Sequence, residues 1–288
     1  MNDSPSWIVV AAGPDARSAR QARWGFRHQT WIVDLSDDGH RVFQRRSDGI
    51  DPLSAEASAV RSMIRAAGLP TPEPIRVDDE GHSDDLLLEL PYVDGLVAAE
   101  LLGTPSGAAT CVRCCGEVAA ALAGARDMPH GLRATWASSR LLVEAARTWL
   151  ASCEAMLANG QVDALERVLA RAARTVDETP AQVAHGDLAP VNVLVRGGEI
   201  AAVLDLDRVQ LAHPLYDAAW FSWVVSFHHP DVAVRACAAF AEAAGTPAHA
   251  TQVSWLWPLL LLERLAEAAS PGERTTWSVR LLASLTGP

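Results

Sequence analysis

Residues 183–207 constrain this chain more than any other stretch of it. Val191 to Val195 is short, apolar and rich in β-branched side chains, and Ile200 to Leu204 is a second apolar run. Between them lies the polar link Arg196-Gly197-Gly198-Glu199, and two such runs joined by paired glycines predict a β-hairpin. That hairpin puts Asp187 and Asn192 on the loop entering its first strand, while Asp205 leaves its second strand at the same end. Two carboxylates and a carboxamide then meet at one edge. Hard oxygen donors of this kind are what Mg²⁺ takes when it also holds phosphates.

Composition removes several alternatives. With 288 residues, 49% of them hydrophobic, the chain has ample material for a core in one or two domains. The most apolar run, Trp255 to Leu262, is too short to span a bilayer and leads at once into Glu263 and Arg264. The first residues lack a basic segment followed by an apolar one, so a cytoplasmic location is expected. A formal net charge of −11 argues against nucleic acid and anionic membrane partners and is compatible with a cationic small molecule. Cys111, Cys114 and Cys115 share a helical spacing, but no second pair of ligands completes a zinc set, and buried reduced thiols are expected. All 24 basic residues are Arg.

His185-Gly186-Asp187-x-x-x-x-Asn192 followed by Leu204-Asp205 resembles the catalytic loop and metal motif of the aminoglycoside phosphotransferase family, small-molecule kinases built like protein kinases. The resemblance implies an α+β, bilobal fold. A small antiparallel-sheet lobe with one helix (1–90) would bind nucleotide, and a larger, mainly helical lobe (91–288) would carry the catalytic hairpin and the acceptor pocket. It further implies that Asp187 is the catalytic base, that Asn192 and Asp205 ligate Mg²⁺, and that ATP or GTP donates the phosphate. Asp217, within His213-Pro214-Leu215-Tyr216-Asp217, would buttress the catalytic loop, with His213 standing where the family often has Asp. His185 is read as a buried structural residue that fixes the loop.

In the small lobe, Trp7 to Ala12 reads as a strand and Pro14 to Arg20 as a turn or short helix. Thr30–Leu35 and His40–Arg46 read as a hairpin around Ser36-Asp37-Asp38-Gly39. Gly25 falls where the family covers the nucleotide phosphates, although nothing like a full glycine-rich loop is present. A phosphate-gripping cation belongs on the 40–46 strand, and without lysine Arg45 is the first candidate, with Arg46 facing the other side and Gln44 as the alternative register. Glu56 opens an amphipathic helix over 52–68, capped by Ser54, and is placed to pair with that cation or simply to complement the helix dipole. Leu86–Leu90 is a strand leading into Pro91. The resemblance places the adenine beside Glu89 and Leu90, at the hinge.

Helices are expected at 108–125, 139–158, 162–175, 220–227, 232–244, 252–268 and 275–284, with Thr135-Trp136 a capping-like pair before the second. Trp220, Trp223, Trp255 and Trp257 fill core or wall a cleft. The implied activity is Mg-dependent transfer of a γ-phosphate to a hydroxyl of a small molecule, an aminoglycoside or related antibiotic first. Asp231, Glu242, Glu263 and Glu267 are the carboxylates available for a cationic acceptor. The alternatives are a metabolic kinase of the choline, homoserine or sugar type, and a catalytically silent nucleotide-binding regulator.

Overall fold

A computed structural model describes residues 4–24, 28–77, 85–246 and 253–285. It begins with a helix, α1 (Ser6–Ala12), followed by strand β1 (Ala16–Gln21), the reverse of what residues 7–20 suggest. The reason is burial. Trp7, Ile8 and Ala12 lie on one helical face against Val33, Phe43 and Leu87, whereas Val9 and Val10 point outward. A docked apolar face outweighs the strand preference of three β-branched residues.

Next come β2 (Gln29–Leu35), β3 (His40–Arg46), α2 (Ala55–Ala66), β4 (Ile75–Arg76) and β5 (Leu86–Pro91). The strands form an antiparallel sheet of order β1-β2-β3-β5-β4, so β3 has a neighbour on each side. The small lobe therefore carries two helices rather than one. Ser54 caps α2 by accepting the Ala57 N–H at 3.2 Å. Met63 and Ile64 of α2 are buried in one cluster with Leu188, Val193 and Val203 of the central motif. Full burial of each such side chain is worth about 1.5–3 kcal/mol, which ties the two lobes together through α2.

Beyond Pro91, β6 (Leu96–Val97) leads into α3 (Pro105–Ala123), β7 (Arg133–Trp136), α4 (Ser139–Cys153), α5 (Asn159–Val176) and β8 (Gln182–Ala184). Thr135 and Trp136 belong to β7, and Ser138 is the residue that caps α4. The hairpin follows as β9 (Val193–Arg196) and β10 (Glu199–Val203), with Arg196 opposite Glu199. Its two-residue turn has Gly197 at φ +60° and Gly198 at φ +89°, the left-handed pair that a type I′ turn needs. β6 pairs with β9, so the segment leaving the hinge is hydrogen-bonded to the hairpin. β11 (Gln210–Ala212) lies between β7 and β8.

Helices α6 (Leu215–His228), α7 (Pro230–Ala243), α8 (Trp257–Ala266) and α9 (Pro271–Leu285) complete the described chain. Trp136, Trp149, Trp220 and Trp223 are buried in the core around α8, so these rings are chiefly core filling. The five cysteines are free and buried. No helix among the described residues is long and apolar enough to cross a membrane.

Candidate active site

The loop from β8 into β9 is held from beneath by Asp217, in the first turn of α6. Its Oδ2 accepts the His185 N–H at 2.8 Å and its Oδ1 accepts the Gly186 N–H at 3.0 Å. Burial pushes the Asp217 carboxyl up, opposed by His185 and these two amides. His185 is fully buried. Its Nδ1 accepts the Asp187 N–H at 3.3 Å, so the ring is in the Nε2–H form and donates to the Leu204 carbonyl at 3.0 Å. One histidine thus joins the loop between β8 and β9 to the end of β10.

Gly186 has a φ of +79°, and a Cβ there would stand 1.9 Å from the Arg208 carbonyl oxygen. Only glycine fits that position. Asp187 follows, its side chain 24% exposed. Asn192 spends its Nδ2 on the Asp187 carbonyl at 2.9 Å, which leaves its oxygen as the metal-type atom. Leu204 donates its N–H to the Asn192 carbonyl at 2.9 Å, so Asp205 leaves β10 beside Asn192. Asp205 has φ +55° and ψ +67°, a left-handed backbone that costs a non-glycine residue about 1–3 kcal/mol and that recurs where function constrains the chain. Asp187, Asn192 and Asp205 are therefore gathered at one edge, and the hard-oxygen chemistry of the last two fits Mg²⁺.

Arg45 and Arg46, the arginines considered for a phosphate-gripping cation, lie on opposite faces of β3. Arg45 lies on the α1 side of the sheet, where its Nε meets Asp85 Oδ2 at 3.0 Å and its guanidinium covers Trp7. Arg46 faces the hairpin. It is 5% exposed and pairs with Asp207 and, at 3.1 Å, with Asp48. Burial opposes the Arg46 charge, but Asp207 and Asp48 outweigh it and its pKa is raised. Gln44 reaches Thr30 Oγ1 at 3.4 Å.

His28, Asp48 and Asp207 lie within 4.8 Å of one another, as a metal site would require, yet Arg46 already bonds both carboxylates. Glu56 is exposed and forms no ion pair among the described residues. Gly25 lies outside the described residues. Glu89 and Leu90 stand in β5, where β4 pairs with Leu88 and Glu89, and among the described residues no strand pairs with that edge from Leu90 onward. Glu89 also meets Arg41 at 3.5 Å.

On the helical side, two of the four acceptor carboxylates are already engaged. Glu263 is fully buried and accepts from Arg133 Nη2 (2.5 Å), Trp136 Nε1 (3.0 Å) and Tyr216 Oη (2.9 Å). Glu267 pairs with Arg133 and Arg208, each at 2.6 Å. Burial opposes its ionisation, but these two arginines outweigh it and hold its carboxyl below the usual range. Asp231 and Glu242 are exposed. Arg208 and Arg264, which the geometry brings to the site, escape a sequence reading because their partners are distant in the chain. The one available signal was a charge embedded in the leucines of α8.

Residues 18–251 match the phosphotransferase enzyme family. Solved structures of the same fold include a thermostable mutant of aminoglycoside phosphotransferase APH(4)-Ia, 17% identical, with a TM-score of 0.66 over 94% of each chain. Macrolide 2'-phosphotransferase MphH from Brachybacterium faecium is 20% identical, with a TM-score of 0.60 over 94% of this chain and 93% of that one. The GDP complex of aminoglycoside 2'-phosphotransferase-IIIa is 14% identical, with a TM-score of 0.63 over 97% and 96%. Among curated proteins none is similar in sequence. At these identities the structures establish the protein-kinase-like fold, while the sequence match extends over most of the chain. The chain belongs to the phosphotransferase enzyme family.

Proposed function

We propose that this phosphotransferase moves the γ-phosphoryl group of ATP or GTP to a hydroxyl of a small molecule. The observation that carries the reading is the gathering of Asp187, Asn192 and Asp205 at one edge of the hairpin, on a loop that Asp217 holds by two amides. Asp187 orients the attacking hydroxyl and accepts its proton late in the transfer. Asn192 and Asp205 would hold Mg²⁺, which neutralises charge on the phosphates when bound. Arg46, rather than Arg45, is the phosphate-gripping cation, because it is the arginine of β3 that faces the hairpin. Nucleotide binding by the lobe ending near Pro91, with Glu89 and Leu90 at the adenine and Gly25 over the phosphates, belongs to the same proposal, as does acceptor binding by the rest.

An antibiotic acceptor is the first reading, since the structurally similar enzymes named above act on aminoglycosides and macrolides. The ion pairs of Glu263 and Glu267 favour a second, a less cationic metabolite acceptor, because these carboxylates are already neutralised by Arg133 and Arg208. Thermal shift with Mg-nucleotide and a panel of aminoglycosides, macrolides and small alcohols, followed by phosphate transfer on the hits, tests both. Asp187→Ala should abolish transfer and leave nucleotide binding intact. Near-normal turnover in that variant would sink the assignment.

A further inference from the structure

Arg264 is an anomaly of its helix. The α8 residues Leu259, Leu260, Leu261, Leu262 and Leu265 are all buried, and a leucine or methionine in place of Arg264 would continue that face without the desolvation cost of a guanidinium. Arg264 is nevertheless 3% exposed, packed over the Trp220 ring at 4.2 Å. Its Nη2 donates to the Gly186 carbonyl at 2.5 Å and lies 3.6 Å from Asp187 Oδ1. Its Nη1 is buried and makes no hydrogen bond among the described residues. A guanidinium placed only to join helices would have its donors satisfied.

The neighbouring charges show what it is paired with. Glu263 bonds Arg133, Trp136 and Tyr216, and Glu267 bonds Arg133 and Arg208. Neither carboxylate is paired with Arg264, whose carboxylate contact is Asp187. Trp220 fixes the plane of the guanidinium from one side. From there a single nitrogen hydrogen-bonds the backbone just before the base and stands within ion-pair range of the base's own carboxylate.

We infer that Arg264 is a positioning residue for the phosphoryl-transfer step. It locks Oδ1 of Asp187 against the protein, so that the remaining oxygen meets the acceptor hydroxyl in one orientation. This rests on the kinase reading of Asp187. A reacting carboxylate held in one rotamer transfers its proton along a prepaid path, and a misplacement of about 1 Å costs on the order of a hundredfold in rate.

The test needs no acceptor, because water can receive the phosphoryl group. Phosphate release from Mg-ATP and Mg-GTP is measured for the wild type, Arg264→Gln, Arg264→Lys, Asp187→Asn and the Arg264→Gln/Asp187→Asn pair, with Tm recorded for each. Arg264→Gln should lower kcat about 30- to 100-fold while the nucleotide KM stays within about twofold, and Arg264→Lys should recover part of the loss. The double variant should be no slower than Asp187→Asn, since the arginine acts through the carboxylate. A kcat within about threefold of wild type, or a double variant that multiplies the two losses, overturns the inference. Should Arg264→Gln fail to fold, Arg264→Lys and its pair with Asp187→Asn carry the same criterion. A wild type that neither binds nor hydrolyses either nucleotide brings down the kinase reading itself, and that failure is visible before any variant is made.

Discussion

Arg46 and Asp207, separated by 161 positions in the chain, form a buried ion pair that joins the central strand of the small lobe to the turn after Asp205. Asp48 shares the Arg46 Nη2 with Asp207, at 3.1 Å. Its neighbour Arg45 looks the other way, onto Trp7 and Asp85. If Arg46 is the phosphate-gripping cation proposed above, anionic phosphate must compete with the two carboxylates that already neutralise it.

Exchange of the two arginines should give opposite results. Arg46→Ala should weaken nucleotide binding about 10- to 100-fold, the range for a charge-assisted hydrogen bond. It should also lower stability by about 3–5 kcal/mol, because the largely buried Asp48 and Asp207 lose their shared guanidinium. Arg45→Ala should leave nucleotide affinity within about twofold. Calorimetric titration with Mg-ATP and Mg-GTP, beside chemical denaturation, separates these outcomes.

Gly186→Ala should be severe although it adds one methyl group. The new Cβ would stand 1.9 Å from the Arg208 carbonyl, at a φ of +79°. The loop must move, and with it Asp187. Urea denaturation should show a loss of at least about 2 kcal/mol, and phosphate transfer should fall by a hundredfold or more.

Asp217→Asn keeps the shape and removes an acceptor. An amide NH₂ would face one of the two backbone N–H groups of His185 and Gly186, so one buried donor loses its partner. The expected stability loss is about 1–3 kcal/mol. Hydrogen exchange at those two amides should accelerate selectively, and unchanged protection there would contradict the buttressing role.

Stability should decline on the acid side through His213. This buried ring accepts the Leu215 N–H on Nδ1 at 3.2 Å, and burial holds its pKa below the usual imidazole value. The unfolded chain then binds a proton more readily than the folded one. The contribution is complete above about pH 6.5 and is lost as pH falls below it towards the folded-state value. Desolvation shifts His228 and His229 in the same direction. His213→Asn retains an acceptor for Leu215 and removes the titration, so its stability profile between pH 7 and 5 should be flatter than that of the wild type.

Much of this protein was legible because its signals are local. The Gly197-Gly198 turn, the β-branched runs beside it, the bounds of β3 and the Ser54 cap each depend on neighbours within a few residues. Asp187, Asn192 and Asp205 inherit their convergence from that hairpin. The beginning of the chain misled for the opposite reason. Residues 7–12 favour a strand by composition, and only the apolar surface offered by Val33, Phe43 and Leu87 makes a helix the better way to bury Trp7, Ile8 and Ala12.

By itself the sequence determined the hairpin, the oxygen-bearing residues at its edge and the amphipathic faces that surround it. Only the tertiary structure decided which arginine of β3 faces the hairpin. Alternation along a strand guarantees that Arg45 and Arg46 point oppositely, but β3 is interior to its sheet, with α1 against one face and the hairpin motif against the other. The choice depends on which face α1 occupies, and the same long-range packing brings Arg264 from α8 to Asp187. Charges whose partners lie far away in the chain leave no periodic trace, so their pairing becomes readable only once the chain has folded.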